Sequence, residues 1–578
     1  MAYTAPFNDI HAALAEAGLQ QGIDSGLYVE LTPDLAEAVI GEAGKFAEAR
    51  LNPLYRIGDE VGAVLKGERV TLPQGWAEAY RDWCAAGWNA LPCPADFGGQ
   101  NLPALINAAC TEIWNGANMA FGLCPMLTVS GIDALHTHGT DELKKIYLEK
   151  LISGMWTGSM QLTEPQAGSD LAQIRMRADK QSDSTYKLFG TKIFITYGEH
   201  EMTDNIVHFI LARTSDDGIK GLSLFLAPKF MVNKDGSLGA RNDINAVGLE
   251  HKLGINASPT CTMTCGDHGG AVAYLVGEEG RGIQCMFTMM NSARLGVGLQ
   301  GVGMAEAAMQ HAMNYANERK QGKAGQDGSA PIVAHADVKR MLLEMKSKIQ
   351  AARLICYMTA ASLDRGKLGK DMKAAERAAL LTPLAKAFST DIANEVASLG
   401  IQVHGGMGFI EETGAAQFFR DARIAAIYEG TNGIQANDLV GRKLPMNDGA
   451  AMRDEIALIR DTAKKVSELN SQNFGRTAQR LQETADALED ASTWLLQTLK
   501  TDQQAALAGA VSYLRLASLG IGGAALARVA LNSDRAQNPL PVQLARYFAE
   551  QQLSAAKGLA LAIIEGGESV TATALDAA

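Results

Sequence analysis

The chain predicts a mainly helical α+β fold in which one antiparallel β unit interrupts a series of helices, and the texture of the sequence carries that prediction. Alanine-rich amphipathic stretches occupy residues 31–154, short β-branched and aromatic runs cluster between 156 and 279, and helical spacing resumes after Gly282. At 578 residues the chain exceeds what one hydrophobic core usually serves. At about 150 residues per domain, three or four packed units are expected. Four segments follow: a helical domain over 1–155, a central β domain over 156–280, a helical bundle over 281–445, and an additional helical domain over 446–578.

Each segment has its own signals. In the first, Leu35 to Ala49 is amphipathic and Pro92 to Gly99 is a break. The second holds Tyr186-Lys-Leu-Phe-Gly, Lys192-Ile-Phe-Ile-Thr, Ile206-Val-His-Phe-Ile-Leu, Leu222-Ser-Leu-Phe-Leu and Thr260-Cys-Thr-Met-Thr, each bounded by Gly, Asp or Asn. In the third, Val338, Met341, Leu342, Met345 and Ile349 recur at spacings of three and four and line one helix face, a core stripe. The fourth runs from about Asp448, with breaks expected at Gly520 to Gly523 and at Pro539 and Pro541.

Composition narrows the function. A net charge of −12, and a final segment with more acids than bases, argue against a nucleic-acid surface. The eight cysteines are scattered, and only Cys261 and Cys265 lie close together, without a Cys/His pair to complete a zinc site. They read as reduced thiols of a cytoplasmic protein. The N-terminus shows neither a signal nor a transit pattern, and no uninterrupted apolar run reaches the length of about 20 residues that spans a bilayer.

Several motifs carry chemistry. Gly296-Val-Gly298-Leu-Gln-Gly301 matches a dinucleotide-binding pattern letter for letter, but the preceding residues look helical and no βαβ unit surrounds it. It reads as close helix packing. Three other segments suit a flat, anionic cofactor: the loop Met160 to Asp170 with Thr163, Gly168 and Ser169; Phe194-Ile195-Thr196, with an aromatic and a hydroxyl on one strand face; and Gln402-Val-His-Gly405-Gly406, a turn open to close backbone approach. In Ile427-Tyr-Glu429-Gly430-Thr431-Asn, a carboxylate precedes a glycine that admits a ligand, and a threonine that can bind a cofactor or cap the next helix.

Taken in order, LTEPQAGSDL (162–171), FIT (194–196), EHKLGINASPTC (250–261), GEEGRG (277–282), MNSARL (290–295), YANERKQG (315–322), QVHGGMGF (402–409) and RDARIAAIYEGTNGIQ (420–435) resemble the acyl-CoA dehydrogenase family of flavoproteins. The resemblance spans about residues 85–445. It implies FAD held at a junction of domains and at a subunit contact, an acyl-CoA substrate, and electron-transfer flavoprotein as the acceptor. Leu162, Thr163, Phe194, Ile195 and Thr196 would meet the flavin, with Thr431 beside it. Arg319, Gln402, Gly405 and Gly406 would serve the FAD of a neighbouring subunit, Arg319 by pairing a guanidinium with pyrophosphate. Ser169, Asn291, Arg294 and Gly430 would contact the acyl-CoA. Glu429 would be the base that removes the proton alpha to the thioester; an ordinary glutamate, with a pKa of about 4.3, needs desolvation to do so.

The sequence also departs from the family pattern. Residues 323–335 look like an insertion just after Arg319, and Ala336 and Gly433 stand where many members carry other residues, so neither is assigned as a ligand. The extension beyond residue 445 is similar to that of large-subunit bacterial members, whose substrates include 3-methylmercaptopropionyl-CoA and longer fatty acyl-CoAs, and it implies a homodimer. Two alternatives share the fold. An acyl-CoA oxidase would pass its electrons to oxygen, and a DNA-associated flavoprotein of the alkylation-response type would need the basic footprint that this acidic chain lacks.

Overall fold

In a computed structural model, residues 3–324, 328–535 and 538–574 are described, without the side chains of Asp534 and Arg535; residues 325–327 of the expected insertion lie outside that set. The chain packs as two compact units that do not follow the four expected segments: residues 45–103 with 117–293, and residues 1–44 with 104–116 and 294–578.

The first unit holds the sheet. A hairpin, β1 (Val64–Lys66) with β2 (Arg69–Thr71), precedes the main strands. These are β3 (Trp156–Gln161), β4 (Arg177–Lys180), β5 (Tyr186–Thr196), β6 (Asn205–Arg213) and β7 (Leu222–Pro228), then a second hairpin of β8 (Phe230–Val232) and β9 (Leu238–Arg241), then β10 (Ile244–Leu249), β11 (Thr260–Cys265) and β12 (Ala271–Val276). The main sheet runs β10-β11-β5-β12-β7-β6-β3, with β4 against β5 and β6. The unit is not wholly antiparallel as expected, since β3 and β4 each pair with β6 in parallel. The long path from β3 through β4 and β5 to β6 supplies the crossover that a parallel pairing requires. Strand β7 is buried throughout and β6 nearly so, and both read as continuous apolar runs rather than alternating ones. The two runs expected at 186–190 and 192–196 are one strand: Gly190, at φ +143°, lets it pass against Met176, where a Cβ would sit 3.1 Å from the Met176 Cα.

The second unit is helical. Helix Ala104–His138 gives only residues 104–116 to this unit; it is broken at Asn118, already in the sheet unit, whose backbone leaves the helical region and whose Oδ1 accepts from the Phe121 N–H, capping the helix that restarts. The Gly-x-Gly-x-x-Gly segment lies inside helix Gly282–Glu318, as its helical surroundings predict. A Cβ on Gly298 would fall 2.6 Å from the Ala385 carbonyl oxygen, and one on Gly301 2.6 Å from that of Ser389, so the glycines admit helix Met372–His404. Neither neighbour is a flexible side-chain end, so Gly301→Ala is expected to cost about 1–3 kcal/mol, measured by urea unfolding.

The break expected at Gly520 to Gly523 is absent: helix Ala510–Arg535 passes through it. A Cβ on Gly522 would lie 3.0 Å from Ala351 Cβ, and one on Gly523 3.2 Å from Leu553, so these glycines serve packing instead of a turn. The break at Pro539 does occur, with Asn538 capping helix Pro539–Gln551, but the one expected at Pro541 does not, because that proline sits in the first turn of the same helix, where its missing N–H costs nothing. The final segment therefore packs on helix Ala336–Lys367 within the same unit, and Arg528 reaches Glu16 at 2.5 Å. Helices Ala104–His138 and Ala510–Ser533 are long and apolar enough to cross a membrane, but 78% of the most apolar window of each is buried inside the fold. None of the eight cysteines forms a disulfide, and seven are buried.

Candidate active site

Glu429 sits in a turn between helix Ala415–Ala422 and helix Asn432–Asp438. Both it and Gly430 are left-handed, at φ +55° and +82°. For a glutamate that conformation costs about 1–2 kcal/mol, so the surroundings must impose it. They do so at the carbonyls: Gln435 Nε2 donates to the Glu429 oxygen at 3.1 Å, and Lys386 Nζ to the Gly430 oxygen at 2.8 Å. Thr431 Oγ1 accepts from the Ile434 N–H at 3.2 Å, so of the two roles open to it the structure shows the helix cap.

The carboxylate faces inward. Glu429 is half-buried as a residue, yet its Oε2 is wholly buried without a hydrogen-bond partner. Burial outweighs the opposing pull of Arg294 and Lys386 and raises its pKa to about 7. Arg294 is itself buried, with Nη1 3.4 Å from Asp438 Oδ2, while Arg442 takes the other oxygen at 2.5 Å. Next to the carboxylate in sequence, Tyr428 donates its hydroxyl to Gln300 Oε1. Gln300 Nε2, Gln435 Oε1 and Arg294 Nε are buried and unpartnered, like Glu429 Oε2. These unmet polar atoms at the Glu429 turn are groups that a bound ligand can satisfy.

In the sheet unit, Lys192 and Glu164 form a fully buried ion pair at 2.8 Å. Lys192 also donates to the Leu162 carbonyl at 2.9 Å, and the Ile193 N–H bonds the Thr163 carbonyl at 2.9 Å, so Leu162 and Thr163 are fixed beside β5. At its end Phe194 is left-handed, φ +61°, and 57% exposed, a strained aromatic face that folding leaves in solvent. Thr196 is half-buried. The Ile195 side chain is 2% exposed and lies in the core, which leaves its backbone for a cofactor. Ser169 and Asn291 are exposed.

Arg319 ends the helix that carries Arg294. At 1.5 Å per residue the two stand roughly 37 Å apart, so Arg319 belongs to a second cluster. One turn before it, Tyr315 stacks on His404 at 4.4 Å, and His311 stacks on the same ring at 4.7 Å. That brings the exposed Arg319 to the end of helix Met372–His404, beside exposed Gln402, Gly405 and Gly406. Gly405 is left-handed at φ +59°, and a Cβ on either glycine would meet nothing within 4 Å. An exposed aromatic with fixed backbone beside it, and an open glycine turn beside a guanidinium, suit a flat ring and a pyrophosphate; the residues present fit FAD.

The sequence reading missed Lys386, Asn432, Gln435, Gln300 and Tyr428. Lys386 had a signal: it is the single charge between Arg377 and Asp391, in an otherwise apolar helical stretch.

Comparison with known proteins identifies the family. Family models match as acyl-CoA dehydrogenase N-terminal domain over residues 34–155, middle domain over 159–267 and C-terminal domain over 280–444, and as acetyl-CoA dehydrogenase C-terminal like over 455–574. The chain is 45% identical to 3-methylmercaptopropionyl-CoA dehydrogenase of Ruegeria pomeroyi, over 100% of both chains. It is 35% identical to a butyryl-CoA dehydrogenase of Syntrophomonas wolfei over 71% of this chain and 70% of that one. The solved butyryl-CoA dehydrogenase of Megasphaera elsdenii superposes with a TM-score of 0.60 at 28% identity, over 72% of this chain and 99% of that one. For ACDH-11 of Caenorhabditis elegans the TM-score is 0.79 over 96% and 92%, a likeness of fold at 20% identity. The chain belongs to the acyl-CoA dehydrogenase family, FAD-dependent enzymes acting on the CH–CH group of their donors.

Proposed function

We propose that this protein introduces a trans α,β double bond into an acyl-CoA, with Glu429 as the base, and that 3-methylmercaptopropionyl-CoA or a fatty acyl-CoA is the substrate. The observation that carries the reading is the Glu429 carboxylate: buried, unpartnered at Oε2 and poised at about 7, it holds free lone pairs at a proton affinity suited to neutral pH. An α-proton taken there leaves negative charge on the thioester oxygen. The N–H of Glu429, which has no backbone partner among the described residues, lies beside Gly430 and can donate to that oxygen. Arg294 offsets the charge of the carboxylate and, with Ser169, Asn291 and Gly430, is assigned to the acyl-CoA. Bound FAD supplies the two-electron oxidant for the β-hydrogen. Leu162, Thr163, Phe194, Thr196 and the Ile195 backbone would hold its ring, Thr431 is assigned to the cofactor as well, and Arg319, Gln402, Gly405 and Gly406 would serve the partner's cofactor in a cytoplasmic homodimer. Electrons pass on to electron-transfer flavoprotein. The methylthio substrate is favoured by 45% identity along the whole chain to an enzyme named for it.

Anaerobic mixing with candidate acyl-CoAs tests this. The flavin absorbance is expected to bleach fastest with 3-methylmercaptopropionyl-CoA, and an α,β-unsaturated thioester should form. Absence of bleaching with every saturated acyl-CoA would sink the reading. Stoichiometric peroxide in air would replace electron-transfer flavoprotein by oxygen, and a tetramer on gel filtration would remove the dimer.

A further inference from the structure

We propose that Lys386 is the positioning residue of the catalytic base, clamping the left-handed Glu429–Gly430 turn from beneath and placing a buried cation beside the carboxylate. This rests on the assignment of Glu429 above and extends it to a residue outside the loop.

The geometry is dense. Lys386 lies in the middle of helix Met372–His404 and is wholly buried. Its Nζ donates to the Gly430 carbonyl at 2.8 Å and to Asn432 Oδ1 at 2.9 Å, so one ammonium grips both sides of Thr431. Asn432 is tied in turn to the same helix, its Nδ2 donating to the Ala387 carbonyl at 3.1 Å, to Thr390 Oγ1 at 3.0 Å and to Asp391 Oδ1 at 2.7 Å. Thr390 Oγ1 also meets Asn432 Oδ1 at 3.2 Å. Two left-handed residues in a row need such external anchors, because nothing in a glutamate favours that conformation.

The charge has a second effect. A wholly buried lysine with one carbonyl and one amide oxygen as its hydrogen-bond partners is an expensive structural peg, and a neutral side chain could fill its space. What a lysine adds is a cation in a low-dielectric site beside a carboxylate. The charged and titratable groups around the pair are Glu429, Arg294, Asp391 and Tyr428, with Asp438 and Arg442 behind Arg294. Burial drives the Lys386 pKa down to about 7, against the pull of Glu429 and Asp391. Burial likewise drives Glu429 up, against Arg294 and Lys386. Arg294 has Asp438 as a direct partner, whereas Lys386 has no direct carboxylate partner among the described residues, so its charge is available to Glu429.

The test compares three variants of the FAD-loaded enzyme. Lys386→Met removes the clamp and the cation, Lys386→Arg keeps the cation, and Asn432→Ala loosens the clamp while leaving the cation in place. In Lys386→Met, kcat at pH 7 is expected to fall about 30-fold or more with KM changed less than about threefold, and the midpoint of the ascending pH limb to rise by about one unit or more. Lys386→Arg should restore the midpoint. Asn432→Ala should lower kcat without moving it. Infrared difference spectra between pH 5 and 9, with the Glu429 carboxyl band identified by its loss in Glu429→Gln, read the same midpoint without turnover. A wild-type midpoint in Lys386→Met, by rate and by infrared, would overturn the proposal and leave a packing role. If the methionine variant does not fold, Lys386→Gln replaces it with the same expectation. An inactive Glu429→Gln with a normal Lys386→Met would reject this inference alone; an active Glu429→Gln would reject the base assignment beneath it.

Discussion

Glu429→Gln is expected to lower kcat by about 10³- to 10⁴-fold while FAD stays bound, as read by the flavin spectrum and by steady-state turnover. The amide keeps the size of the side chain and its left-handed backbone, and the anchors on the Glu429 and Gly430 carbonyls come from Gln435 and Lys386, which the substitution leaves in place. What it removes is a buried oxygen with no competing hydrogen bond. The wild-type rate should therefore climb with pH through a midpoint near 7, because the base works only when deprotonated and burial has raised its pKa to about 7. Stability runs the other way. A carboxyl whose folded pKa is raised binds its proton more tightly folded than unfolded, so its contribution is full below about 4.5 and is lost as pH rises toward 7. Glutamine has no such loss, so at pH 8 the inactive variant should melt no lower than wild type. A variant that loses activity by unfolding would show the opposite.

The loop that carries this chemistry was legible as a candidate but not as a mechanism. A carboxylate, a glycine and a threonine in that order are visible in any sequence, but the φ of Glu429, its unpartnered oxygen and the lysine beneath it arise from a helix about 40 residues earlier in the chain. Helix periodicity showed Val338, Met341, Leu342, Met345 and Ile349 as a core stripe; the last four are buried and Val338, near the helix start, is half-buried. It could not show that Gly522 and Gly523 stay helical, because glycine reads as a break unless the neighbour it admits is known; here those neighbours are Ala351 and Leu553. Ile195 illustrates the same limit at one residue. A motif of three letters includes it, but strand alternation sends its side chain into the core while Phe194 turns out. Parallel pairing of β3 with β6 was equally invisible, since it depends on which strand a long connection returns to.

Arg353→Ala is expected to destabilise the helical unit by about 3–5 kcal/mol, measured by urea or thermal unfolding. Arg353 is wholly buried in helix Ala336–Lys367 and binds Glu112 at 2.7 Å, Glu306 at 3.0 Å and Gln350 at 2.6 Å. Tyr357 donates to the second oxygen of Glu112 at 2.9 Å, and Asp9 of helix Phe7–Ala17 lies 3.7 Å from the guanidinium. Four helices thus converge on one cation. Removing it leaves two buried carboxylates, of which Glu306 keeps the Gln310 amide at 3.1 Å and a distant cation in Lys346 at 3.8 Å, while among the described residues Glu112 keeps the Tyr357 hydroxyl alone. The loss should shrink when Glu112→Gln accompanies Arg353→Met, because the penalty lies in the unpaired charge and not in the missing bond. A double variant as unstable as the single would show that packing around the guanidinium carries the effect. The cluster also bears on the base: Glu306 lies twelve residues after Arg294 on one helix, and Gly303 between them packs against the Glu112 carbonyl at a distance a Cβ would bring to 2.6 Å. Helix Gly282–Glu318 is held in place by this contact and the Arg353 bond, so loosening Arg353 should move Arg294 away from Glu429 and shift the kinetic midpoint upward before the unit unfolds.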